Sequence, residues 1–253
     1  MGALRVGRRT AALIRGGVLL ALAAVLAIRH LDGSLGYYIN LRYGWLTLVA
    51  IACLTVLGVA TLVAGLGRGR GAPDTRVHLP WLGVGLLALT VALALIPPRP
   101  LGTDAMATRA LQLGSVPAAA GLAVTAEATL ATDDGPRTVL DWLVLFHQAD
   151  TGATDLNRFA GQSARVRGFV YRDERFPTGT FMVSRFLLSC CVADAAPIGL
   201  AVRWPDADFL DDDAWVWVSG EFAVESFLDE RVPVLVAAEV TPAEQPPQPY
   251  LYY

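Results

Sequence analysis

The sequence contains no lysine and little charge of either sign. All 20 basic residues are arginine, which excludes Schiff-base chemistry and lysine nucleophiles. Only 17% of the 253 residues are charged and 54% are hydrophobic, whereas an ordinary soluble domain has about 25% charged residues. A cytosolic globular protein is therefore not expected. Part of the chain is predicted to lie in a lipid bilayer.

Acidic residues are nearly absent from the first part of the chain. Residues 1–99 hold ten arginines and only Asp32 and Asp74, a balance of +8. Residues 100–253 hold ten arginines and 21 acidic residues, a balance of −11. The net charge of −3 therefore combines a basic half and an acidic half. This asymmetry predicts a membrane region at 1–99 and an aqueous region after it.

Long apolar runs in the first half predict three transmembrane helices. Residues 45–66 form an uncharged run, which as a helix spans about 33 Å, enough for a hydrocarbon core of about 30 Å. Residues 79–98 form a second uncharged run, which ends at two prolines. Residues 11–28 form a weaker span, because Arg15 must reach the headgroups near one end. A cleaved signal peptide is the alternative for this first segment.

The placement of arginines predicts the orientation of these spans. The N-terminus and the loop at 67–78 each hold three arginines, whereas the longer loop between the first two spans holds two. Cytoplasmic loops are enriched in arginine. We therefore expect a multi-pass protein of the cell membrane, with its N-terminus in the cytoplasm and residues 100–253 outside it.

The second half is predicted to contain a linker and a mainly-β domain. Residues 100–138 are rich in Ala, Gly, Pro and Thr, as in a linker. Apolar residues at helical spacing predict a short helix at 139–148. Five segments with strand character follow, and they place the organised domain at 139–253. These segments are residues 164–171, 180–188, 197–204, 214–224 and 232–240.

Two glycines indicate how these strands are arranged. Gly168 and Gly220 interrupt strands, where glycine typically marks a bulge or a sharp bend. Short, bent strands favour an OB-like barrel, with a small β-sandwich as the alternative. The acidic balance repels phosphate, so nucleic acid is not an expected partner. In the last strand, alternation predicts one shared face for Val232, Val234, Val236, Ala238 and Val240.

One run, residues 185–197, concentrates residues that could carry chemistry. Cys190 and Cys191 are adjacent, and Asp194 follows three residues later. Neighbouring side chains of a strand point to opposite faces, so the two thiols converge only where the strand ends. Both thiolates, together with Asp194 or His147, would then suit zinc or copper.

Two other interpretations of the cysteine pair stay open. A vicinal disulfide would be strained, because consecutive Cα atoms lie only about 3.8 Å apart, and it would suit a redox-responsive switch. Alternatively, both cysteines are small buried residues that close the barrel. We also expect Arg185 to pair with Asp194, and the turn to be supported by Arg185, Ser189 and Pro197.

The same run, with three weaker motifs, carries a resemblance to a known family. The pattern R-F-x-x-S-C-C-x-A-D-A-x-P occupies residues 185–197, G-F-V residues 168–170, W-V-x-V-x-G residues 215–220 and P-x-P-Y residues 247–250. With these motifs the chain resembles, over essentially its whole length, the YcgQ-like family of bacterial membrane proteins. Members of that family are described as subunits of proposed two-component permeases and occur beside a larger multi-span permease.

The resemblance implies a membrane-anchored subunit without catalytic activity. It would dock a multi-span permease partner in the lipid bilayer and present the OB-like domain outside the cytoplasm. The competing hypothesis is an extracytoplasmic thiol protein that binds zinc or copper, or senses redox state, through Cys190 and Cys191. An enzyme is not expected, because the only histidine of the domain, His147, is distant in sequence from the cysteines.

Overall fold

The computed structural model describes most of the chain as two compact units, residues 1–99 and 100–253. The described residues are 8–67, 85–86, 88–90, 92, 96–109, 112–113, 137–151 and 155–252. More than half of the predicted third span, 79–98, and most of the predicted linker, 100–138, lie outside them.

The first unit contains two helices that are long and apolar enough to cross a membrane. These are α1, Arg8–Leu31, and α2, Gly44–Gly67. They cover the predicted spans 11–28 and 45–66. The helices approach closely at Gly58, where an added Cβ would lie 2.9 Å from the side chain of Leu20. Small residues at such crossings are typical of membrane helix pairs, and the two helices have the length and composition of a membrane anchor.

The described residues of the second unit form two short α-helices and seven strands. One helix starts at Val139, as predicted, and the five long strands begin and end within three residues of the predicted segments. A helix at Thr103–Ala107 and two short strands, Gln112–Leu113 and Tyr250–Tyr252, were not predicted. The helices are α3, Thr103–Ala107, and α4, Val139–Thr151. The strands are β1, Gln112–Leu113; β2, Ser163–Tyr171; β3, Thr180–Leu188; β4, Ala196–Arg203; β5, Trp215–Phe227; β6, Glu230–Pro242; and β7, Tyr250–Tyr252.

The five long strands pair in a closed cycle within one sheet. Going round the cycle, β2 pairs with β3, β3 with β4, β5 with β6, and β5 with β2, all antiparallel. A short parallel contact between β4 and β6, at Val202↔Leu235 and Arg203↔Val236, completes it. All described strands thus belong to one sheet, whereas a sandwich requires two.

The main hydrophobic core contains residues from α4 and from all five long strands. Helix α4 places Leu140, Leu143 and Phe146 on one face, and all three are at most 1% exposed. This 3–4 residue spacing is the helical period that the sequence shows. Phe146 packs edge-on against Phe222 of β5, with ring centroids 5.2 Å apart. Helix α4 is thereby held against the strands.

A bulge in β5–β6 changes which residues face this core. The register shifts between Ser219 and Gly220, where an added Cβ would collide with the carbonyl oxygen of Val236. The bulge expected at Gly220 is therefore confirmed. The prediction of one shared face along β6 is wrong, because an extra residue reverses the alternation. Val232 and Val234 join a separate small cluster, while Val240 packs on the main core.

Residues at both ends of the second unit cover the other face of β2 and β3. Met106 of α3 and Tyr250 of β7, both 1% exposed, join a second core with Phe169 and Phe186. The Tyr250 hydroxyl accepts a hydrogen bond from the Leu101 N–H at 2.8 Å. The first residues of the predicted linker are thus packed on the domain, because they bury an apolar face that the closed cycle leaves uncovered.

Candidate functional site

The cysteine pair lies in a turn that begins where β3 ends. Strand β3 stops at Leu188, and a 3₁₀ turn follows at Val192–Asp194. Cys191 is extended, with φ −157° and ψ 172°, and precedes this turn as its N-cap. The regular alternation of the strand ends before the cysteines, so their side chains are able to converge. The strand end expected near the pair is confirmed.

The two thiols are close together and open to solvent. Their sulfur atoms lie 3.6 Å apart, and both cysteines are free. Cys190 is exposed and Cys191 is half-buried. The interpretation of the pair as buried residues that close the barrel is therefore wrong, because the strand end carries them out of the core.

Asp194 holds this turn together through its carboxylate. The carboxylate accepts hydrogen bonds from the N–H groups of Ser189 at 3.1 Å, Cys190 at 2.7 Å and Cys191 at 3.4 Å. Burial raises the pKa of Asp194, but hydrogen bonds from the Cys190 thiol and these N–H groups outweigh burial and lower the pKa below its usual value. The side chain is thus an ionised acceptor beside both sulfurs.

The same carboxylate affects the thiol of Cys190. A hydrogen bond to Asp194, followed by the contact with Cys191, raises the pKa of Cys190 to about 12. A thiolate at this position would lie beside a carboxylate, and two like charges are unfavourable. In the absence of a cation, Cys190 is therefore a neutral thiol at physiological pH.

Three of the predicted ligands are brought together. In the part of the chain that the structure describes, Cys190, Cys191 and Asp194 form the one group of at least three His, Cys, Asp or Glu side chains with all ligand atoms within 4.8 Å of one another. His147 lies on α4 and is not a member of this group. The three ligands from the run at 185–197 thus form a cluster, and His147 is not part of it.

Arg185 holds the C-terminal tail. Its guanidinium, 1% exposed, donates hydrogen bonds to the carbonyl oxygens of Pro249 at 2.9 Å, Gln248 at 3.2 Å and Arg167 at 3.3 Å. It also lies over the indole ring of Trp215, at 5.1 Å from the centroid. The sequence predicted a pair with Asp194, but the structure gives these two side chains different partners. Arg185 therefore supports the tail.

The remaining two predicted supports lie on either side of the cysteines. Ser189 contributes its backbone N–H to the carboxylate of Asp194, as described above. Pro197 is buried in β4 and lies opposite Phe186 of β3 in the strand register. Both residues are thus part of the framework of the turn.

Arg109, a residue that the sequence analysis did not single out, also contacts this turn. Its guanidinium donates hydrogen bonds to the carbonyl oxygens of Ala195 and of Val192, the latter at 3.1 Å. It lies over the ring of Phe186, at 5.9 Å from the centroid. No local pattern marks an arginine in an Ala- and Thr-rich stretch as a contact to a turn more than 80 positions away. Only the docking of α3 on the strands brings it there.

Comparison with known proteins places the similarity in this same region. Residues 148–253 match the family described as the DUF1980 C-terminal domain. The chain is also similar to the UPF0703 protein YcgQ of Bacillus subtilis (strain 168), with 27% identity over 96 residues. That match covers 37% of this chain and 34% of YcgQ, about a third of its length. No solved structure matches the chain. The family match includes all four motifs on which the predicted resemblance depends.

Proposed function

Since the C-terminal domain of this chain belongs to the YcgQ-like family, we propose that the protein is the non-catalytic, membrane-anchored subunit of a two-component permease. It docks a multi-span partner in the bilayer and presents its β-domain outside the cytoplasm. A third transmembrane helix at 79–98 completes the anchor. The support comes from the family match and from two helices with the length and composition of membrane spans.

The β-domain of this subunit is an OB-like barrel. Five strands in a closed cycle, with one parallel contact and a glycine at the bulge, are the features that favour this architecture. OB-folds bind oligonucleotides over their second and third strands. Here the second strand of the cycle, β3, pairs with β7 and packs against α3 residues. Because the chain covers that face itself, a role in the permease is favoured over binding of nucleic acid.

The observation that carries the proposal is that two of the three threonine hydroxyls of α2 are satisfied within the helix itself. The hydroxyl groups of Thr55 and Thr61 each donate a 2.7 Å hydrogen bond to a carbonyl oxygen of their own helix, at Ile51 and Leu57. Transport across a bilayer normally requires intramembrane polar or charged groups that face a cavity. A helix whose hydroxyls are satisfied internally anchors or docks, and the partner must supply the transport route.

Purification in mild detergent tests this proposal. A tagged full-length chain is expected to recover one multi-span membrane protein at a near-equal molar amount, measured by quantitative mass spectrometry. Gly58→Leu should abolish this recovery, because the new side chain meets Leu20 and separates α1 from α2. Gly67→Ala is the matched control, since nothing lies within 4 Å of an added Cβ at that position. Recovery of the chain alone, or equal recovery with Gly58→Leu, would contradict the proposal.

The proposed orientation has a separate test. In a variant that lacks the native cysteines, Glu244→Cys provides an exposed label site before the tail. We expect a membrane-impermeant maleimide to label it in intact cells, because arginine-rich segments stay in the cytoplasm. Thr75→Cys in the 67–78 loop should label only after lysis. The opposite pattern for this pair of variants would reverse the orientation.

A further inference from the structure

We propose that Cys190, Cys191 and Asp194 form a binding site for a zinc-class divalent cation, with three ligands from this chain and a fourth position open. The ligands are two sulfur atoms and one carboxylate oxygen, all within 4.8 Å of one another. Two thiolates with one oxygen ligand suit a borderline-soft cation such as Zn²⁺. The site does not require a permease partner, because every ligand belongs to this chain.

The distance between the two sulfur atoms indicates which coordination geometry the pair fits. Two thiolates on a tetrahedral zinc ion, with Zn–S bonds of about 2.3 Å, lie about 3.8 Å apart. Linear coordination of a cation between two sulfurs at the same bond length would require about 4.6 Å. A disulfide requires about 2.05 Å. The observed separation of 3.6 Å is closest to the edge of a tetrahedron, so little movement is needed to bind the ion.

Asp194 is positioned to supply the third ligand. Its carboxylate is oriented by three backbone N–H groups of residues 189–191, in the way that outer hydrogen bonds orient the ligands of metal sites. The Cys190 sulfur and an oxygen of the same carboxylate lie within 4.8 Å of each other. When the cation binds, it bridges this sulfur and this oxygen, and the thiol proton leaves to solvent. The divalent ion then offsets two of the three negative charges of the two thiolates and the carboxylate.

The exposure of the cluster favours an open site over a closed structural one. Cys190 and Asp194 are exposed and Cys191 is half-buried. Structural zinc sites have four protein ligands, whereas sites with three keep a position for water or another molecule. Binding releases the two thiol protons to solvent, and the metal stays divalent throughout, so no oxidant or reductant is consumed. The open position lets the ion be passed to or from another ligand.

Metal binding by the full-length chain in detergent tests the proposal. With a non-thiol reductant present, one equivalent of Zn²⁺ per chain is expected, measured by competition with a chromophoric chelator. Co²⁺ in place of zinc should give the absorption of a tetrahedral thiolate complex. Cys190→Ser and Cys191→Ser should each weaken the affinity by more than about tenfold, and Asp194→Asn by about tenfold. Cys53→Ser, which changes the third cysteine in the membrane helix α2, is the matched control and should bind normally.

Three outcomes would overturn the proposal. One is the absence of stoichiometric zinc or cobalt binding by the reduced chain, including the case in which the chain takes up only Cu⁺. Another is an unchanged zinc affinity in both serine variants, which would show that the ion binds at a different site. The third is a cobalt spectrum without thiolate absorption.

Asp194→Asn keeps an acceptor oxygen for the N–H groups, and an unchanged thermal midpoint would show that this variant folds. The permease role is tested by recovery of the partner in the detergent purification, whereas the metal site is tested by ion binding to the chain. Either proposal can therefore fail without the other.

Discussion

Replacing Arg185 with alanine is expected to lower the free energy of unfolding of the β-domain by at least about 3 kcal/mol. The guanidinium is 1% exposed and donates to three backbone carbonyls. Removal leaves these acceptors without donors and opens a cavity beside Trp215. Thermal unfolding of the full-length chain, followed by tryptophan fluorescence, should show a midpoint lower by about 10 °C.

Two further variants make this result interpretable. Arg185→Lys keeps the charge but lacks the planar guanidinium, so it should show an intermediate loss and earlier carboxypeptidase release of Tyr250–Tyr252. Arg203→Ala is the control, because its ion pair with Glu225 is half-exposed and such pairs contribute less than about 1 kcal/mol. An Arg185→Ala chain as stable as the control, with a protected tail, would show that the arginine does not hold the tail.

Gly220→Ala is expected to destabilise the β-domain by about 3 kcal/mol. The added methyl group would collide with the Val236 carbonyl oxygen, and the bulge in β5–β6 would have to shift. A shift of one residue there exchanges the two faces of β6, so Leu235 would leave the core. Urea unfolding of the full-length chain should show a lower midpoint with an unchanged slope, which indicates a loss of stability without a change in the denatured state.

The neighbouring residue provides the control for this change. Ser219→Ala lies on the other side of the register shift and is half-buried, so it should alter stability by less than about 0.5 kcal/mol. Gly168→Ala should resemble Gly220→Ala, because its Cβ would lie 2.6 Å from the Ser184 carbonyl oxygen. Equal midpoints for the Gly220 and Ser219 variants would mean that the strands are not paired in this register.

The proposed roles of the two units also differ in what they require. The proposed permease role needs a partner for transport, because the hydroxyls of Thr55 and Thr61 in α2 are bonded to carbonyl oxygens of their own helix. The cysteine turn needs only the ion, because its three ligands are adjacent in one segment.

Local patterns in the sequence were sufficient for the long helices and strands that the structure describes in both units. Long apolar runs indicate α1 and α2, since a bilayer requires a fixed length of apolar helix. Runs with strand character located β2–β6 to within three residues at each end, and Gly220 indicated the bulge. The cysteine cluster was also visible, because its members lie within five residues of one another. In each case the structure depends on residues that are close in sequence, so the pattern that predicts it lies in the same short segment.

Contacts between distant segments were decided only by the tertiary structure. The partners of Arg185 are mostly some 60 positions away in the tail, and Arg109 reaches the cysteine turn from before the domain. A buried guanidinium accepts any set of well-placed carbonyls, so its sequence neighbours do not reveal them. The faces of β6 likewise depend on one extra residue at a bulge whose position is set by β5. The sequence by itself determined which of the long segments form helices and strands, and where the thiol turn lies. Packing determined which surfaces those segments cover, because burial depends on the neighbours that folding brings together.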